Sequence, residues 1–140
     1  MNIEKVKQIL NKFPKKDLAF IFDIYFVSYN CKDETENYLV NGRTLPVIYK
    51  VLIYPRAHER LKIILAHEMG HIVFEKKFNN EKRAFFIHDL VKTFPQIVLN
   101  IYKPGFVSEQ FAECYDNYIN NQDRLKEFPL LYNFFVKLVM

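Results

Sequence analysis

The stretch Leu61-Lys62-Ile63-Ile64-Leu65-Ala66-His67-Glu68-Met69-Gly70-His71-Ile72-Val73-Phe74 decides how this chain is read. It follows Pro55 and is apolar on several faces, which predicts a buried helix. His67 and His71 stand four apart, so a helix puts both imidazoles on one face, where they can serve one metal ion. Glu68 sits one step round, placed to hold a water beside that ion and take its proton. Two histidines and a glutamate are costly to bury without such a role.

Working upstream, Val47, Tyr49, Val51 and Ile53 alternate with Ile48, Lys50, Leu52 and Tyr54, which predicts a strand over Thr44 to Tyr54 with both faces largely covered. Asn41-Gly42 is a turn signal, and Tyr38-Leu39-Val40 reads as a short strand before it. Cys31 to Asn37 is polar loop. Leu18 to Tyr29 has Phe20, Phe22, Ile24 and Phe26 in alternation and predicts a further strand. Ile3, Val6, Ile9, Leu10 and Phe13 recur at helix spacing, so the chain opens with an amphipathic helix ending near Pro14, followed by a turn at Lys15-Lys16-Asp17.

Downstream, Glu81 to Thr93 has a helical stripe that Phe94-Pro95 breaks, and Tyr102-Lys103-Pro104-Gly105 is a loop. Ser108 reads as the N-cap of a helix from Glu109 to about Asn120. A last helix begins near Pro129, a residue suited to a first turn. The fold class expected is α+β, with a small mixed sheet packed on the HExxH helix and a helical C-terminal half.

The 140 residues suit one domain over 1–140 and are 50% hydrophobic, enough for a substantial core. Twenty basic residues stand against 16 acidic ones, for a net charge of +4, and they are interspersed rather than blocked. That argues against a nucleic-acid partner. Cys31 and Cys114 are too few for a disulfide scaffold and are expected to be reduced. Met1 to Lys5 leads into the amphipathic pattern, not an apolar run, and no apolar stretch reaches the length of a span, so neither signal peptide nor membrane segment is expected. A cytoplasmic location is the default, with export by a route lacking a recognisable signal as the alternative.

A catalytic zinc takes three protein ligands and keeps one open position. HExxH supplies two. His88 stands alone, whereas Glu109 and Glu113 lie one turn apart in Glu109-Gln110-Phe111-Ala112-Glu113. One of them can bind metal, and the other can accept from a ligand histidine's second nitrogen. Spacing leaves open which does which.

Glu109-Gln110-Phe111-Ala112-Glu113 resembles the ExFAE segment of the anthrax lethal factor protease domain and of related clostridial Pro-Pro endopeptidases. The context of His67 to His71 is similar too, and the resemblance runs from about Thr44 to the C-terminus. It implies a zincin-like catalytic domain of the gluzincin type. The implied set is one Zn2+ per chain held by His67, His71 and Glu109, with Glu68 as base and Glu113 as outer support. It also implies that Tyr102, seven residues before Glu109, steadies the oxyanion with its hydroxyl. The substrate implied is a protein or peptide, extended along a strand edge in Val47 to Tyr54 or Tyr38 to Val40. The segment between His71 and Glu109 is short, which implies reduced substrate-binding loops. Two other readings use the same residues: a cytoplasmic regulatory protease of the repressor-cleaving type, and a catalytically silent zinc-containing interaction protein.

Overall fold

A computed structural model describes residues 3–20, 23–26, 42–45, 50–53 and 60–139. The order is α1 (Ile3–Leu10), α2 (Lys15–Leu18), β1 (Asp23–Phe26), β2 (Gly42–Leu45), β3 (Lys50–Ile53), α3 (Leu61–Lys77), α4 (Asn80–Thr93), a 3-10 helix (Pro95–Leu99), α5 (Phe106–Asn120), α6 (Gln122–Lys126) and α7 (Pro129–Val139).

The HExxH segment lies in α3, the longest helix among the described residues at 17 residues. Leu61, Leu65, Ala66, Met69, Gly70, Ile72, Val73 and Phe74 are all buried, so α3 is covered on nearly every side. A helix apolar all round belongs in the middle of a fold. Its main partner is α5, which buries Phe111, Ala112 and Tyr115. The closest approach is at Gly70, where a Cβ would stand 2.7 Å from the Ala112 Cα. Only a residue without a side chain lets the two backbones meet so closely.

Aromatic rings fill the space beside this pair. Phe111 stacks on Phe135 of α7 at 5.1 Å between centroids and meets Phe86 of α4 edge-on at 5.4 Å. Offset and edge-to-face arrangements suit the quadrupoles of the rings. At the other end α1 and α2 close on the core through Ile9 and Phe13. Asp17 of α2 is 1% exposed, pairs with Lys77 Nζ at 2.5 Å, and accepts from the Tyr115 hydroxyl at 2.7 Å.

The α+β expectation is corrected here. The described residues are overwhelmingly helical, and α3 rests chiefly on another helix rather than on a sheet layer. Strand is confined to three four-residue pieces in the order β1-β3-β2, with β1 parallel and β2 antiparallel to β3. Val51 and Ile53 do point into the core, two residues apart as a strand requires. The physical reason for the error is length. Apolar alternation in a sequence marks residues able to pair, but most of the buried surface here is aromatic and sits at helical spacing on α3, α4, α5 and α7.

Further boundaries shift with it. Lys15-Lys16-Asp17 is the start of α2 rather than a turn, and the strand expected from Leu18 to Tyr29 occupies only Asp23–Phe26 among the described residues. Tyr38 to Val40 lies outside the described residues, as do Asn41 and 46–49; Gly42 opens β2. Within the expected edge strand Val47 to Tyr54, the described part is β3, the middle strand, paired on both sides. It leaves no free edge for a peptide.

Candidate metal centre

His67 and His71 project from one face of α3, toward the first turn of α5. Glu109, in that first turn, lies between them: His67 Nε2 is 3.1 Å from Glu109 Oε2 and His71 Nε2 is 2.9 Å from Glu109 Oε1. The imidazole rings stand edge to face, 4.9 Å apart. One donor atom from each of the three residues falls within 4.8 Å of the others. A tetrahedral shell with bonds of about 2 Å spaces its ligand atoms about 3.3 Å apart. Two nitrogens and a carboxylate oxygen at the observed separations fit that shell. The cluster can therefore coordinate a metal ion, and His67-Glu68-x-x-His71 with Glu109 matches a gluzincin-type metal site.

The site is built from one side and open on the other. The histidine side chains are 24% and 17% exposed, and that of Glu109 is 55% exposed. The hydrogen bonds from His67 and His71 hold the Glu109 carboxyl well below the usual carboxylate range. At His67, burial disfavours the imidazolium, but the Glu109 hydrogen bond and the nearby carboxylates of Glu109, Glu68 and Glu113 outweigh it and leave the pKa raised. Three anions around one imidazole make a place that a cation would complete.

Glu68 is buried on α3, 7% exposed, with its charge felt at His67. Glu113 is exposed and acts on His67 through its charge. The second nitrogen of His71 meets Ser108 instead: Nδ1 and the Ser108 Oγ are 2.7 Å apart. The sequence suggested Ser108 as an N-cap. The helix starts earlier, at Phe106, with Gly105 as N-cap at φ 78°, which puts Ser108 inside the first turn and frees its hydroxyl for α3. The signal that marks it is adjacency to Glu109. Asp116, two turns further along α5, was also passed over. It accepts from Asn120 Nδ2 at 2.7 Å, Asn120 also donates to the Lys62 carbonyl at 3.0 Å, and burial pushes the Asp116 carboxyl up while His67 pulls it down.

Tyr102 lies in the turn before α5 and is 94% exposed, outside the donor cluster. His88 is on the surface of α4, 3.3 Å from Asp89 Oδ1. Burial pushes the Cys114 thiol up to about 12, so it is not a thiolate ligand at neutral pH. His58 and Cys31 lie outside the described residues. Among the described residues no helix is long and apolar enough to cross a membrane. Compared with known protein families, curated proteins and solved structures, the chain matches none, so none of these ties it to the lethal factor group.

Proposed function

We propose that this chain is a zinc-dependent peptidase, with His67, His71 and Glu109 as the metal ligands. The observation that carries the reading is the convergence of their three donor atoms within 4.8 Å, beside a buried Glu68 on the same helix. A geometry-only site would need no carboxylate at position 68; a hydrolytic one does. A zinc ion held there supplies Lewis acidity and makes a water more acidic. Glu68 takes the proton from that water and delivers it to the leaving amine of the peptide. Tyr102, from its exposed turn, meets the carbonyl oxygen of a seated peptide and steadies the charge that develops on it. Glu113 adds negative potential at His67. The resemblance of Glu109 to Glu113 and of His67 to His71 to the lethal factor-like endopeptidases supports an internal bond of a protein or peptide as the target.

The test is elemental analysis followed by a peptide-library assay. One zinc per chain is expected in the wild type, lost in Glu109→Ala and kept in Glu113→Ala. Glu68→Gln is expected to keep its zinc and lose about 100- to 10,000-fold in cleavage rate. A wild type that holds no zinc after reconstitution refutes the metal centre. A Glu68→Gln variant that cuts as fast as wild type refutes the mechanism.

A further inference from the structure

Resting on the metal-centre reading above, we infer that Ser108 is the positioning residue for His71, and that the hydrogen bond between them reverses direction when metal binds. The first turn of α5 engages both nitrogens of this one imidazole. Residue 108 meets Nδ1 at 2.7 Å, and residue 109 meets Nε2 at 2.9 Å.

The direction follows from what each partner can do. A carboxylate only accepts hydrogen bonds. In the metal-free chain Glu109 Oε1 lies 2.9 Å from His71 Nε2, so Nε2 carries the hydrogen. A neutral imidazole then has a bare Nδ1, and Ser108 Oγ–H donates to it. A metal ion needs the lone pair of Nε2. The ring hydrogen then belongs on Nδ1, and the same Ser108 oxygen accepts from it.

A hydroxyl serves both states because it rotates between donor and acceptor. A carboxylate or a backbone carbonyl at this place would serve only the metal-loaded one. Ser108 therefore leaves no polar group of His71 unpartnered on either side of the exchange, which suits a centre that takes up and releases its ion rather than one assembled once.

The test reads the ring nitrogens directly. In histidine-labelled protein at about pH 8, 15N spectra of His71 are expected to show the hydrogen on Nε2 without metal and on Nδ1 with one equivalent of zinc. His71→Gln assigns the signals. Zinc affinity, measured by chelator competition, is expected to fall about 10- to 100-fold in Ser108→Ala and to return to within about threefold of wild type in Ser108→Thr. Melting of the metal-free variants checks that they fold; should Ser108→Ala fail to, the wild-type spectra and Ser108→Thr still decide. A hydrogen on Nδ1 in both states, both nitrogens protonated without metal, or wild-type affinity in Ser108→Ala overturns the inference while leaving the metal centre standing. A wild type that takes up no zinc overturns the metal centre as well, and the titration shows which has failed.

Discussion

Two polar clusters join α3 to its neighbours, and they are built on opposite plans. Asp17, Lys77 and Tyr115 form a closed one: Asp17 is 1% exposed, and the chain itself supplies the anion, the cation and the hydroxyl donor. His67, His71 and Glu109 form an open one, with the Glu109 side chain 55% exposed and carboxylates gathered around His67. The closed cluster has its cation in Lys77. The open one has two imidazoles in that place, groups that become cationic only by taking a proton and that bind metal when they do not. One helix thus carries a strut completed at folding and a centre left for something else to complete.

The largest expected effect falls on the strut. Asp17→Ala leaves Lys77 and the Tyr115 hydroxyl without their buried partner, and breaking such a pair costs about 3–5 kcal/mol. Thermal melting should show the loss, while zinc content of the folded protein stays at the wild-type level. A fall in zinc content at temperatures well below the melt would mean that the two clusters are not separate. Next comes Gly70→Ala, which forces a Cβ to within 2.7 Å of the Ala112 Cα. Separating the helices costs about 1–3 kcal/mol. It should weaken zinc binding out of proportion to stability, because Glu109 is less than a turn from Ala112 on the helix being pushed away. Equal zinc affinity in wild type and variant would show that the interface yields elsewhere.

The smallest effect is a pH profile that only the open cluster should have. The Glu109 carboxyl is lowered from 4.5, so its contribution is present above that value and lost as pH falls; His67 is raised from 6.5, so its contribution is present below that value and lost as pH rises. Metal-free protein should therefore melt highest between about pH 4.5 and 6.5, by a few degrees at most for a half-exposed pair. Glu109→Gln should flatten the profile on both sides. An unchanged profile in that variant would assign the effect to other groups.

What could be read in the sequence follows the distance over which each feature is decided. His67 and His71 converge because a helix repeats every 3.6 residues, a local fact. Pro129 opens α7 and Phe94-Pro95 ends α4 for reasons equally local. Ser108 looks like a cap because hydroxyls before a helix usually are caps. Its partner His71 lies 37 residues away, and Gly105 had already taken the capping position. Asp17 beside two lysines looks like a surface turn, and only Tyr115, 98 residues later, shows why it is buried. The sheet was overestimated for the same reason. Alternation in a single segment says nothing of how much of the core the helices fill among themselves.

Gly105 governs more than the turn it occupies. Its left-handed backbone, φ 78°, fixes the residue from which α5 starts to wind, and no atom crowds the place where its Cβ would be. It acts as the zero mark of a dial. Each residue by which the winding began early or late would turn the helix about 100° and slide it about 1.5 Å, carrying Ser108 and Glu109 off His71 together. The alignment of the open cluster is thus set by a backbone torsion that touches none of its atoms.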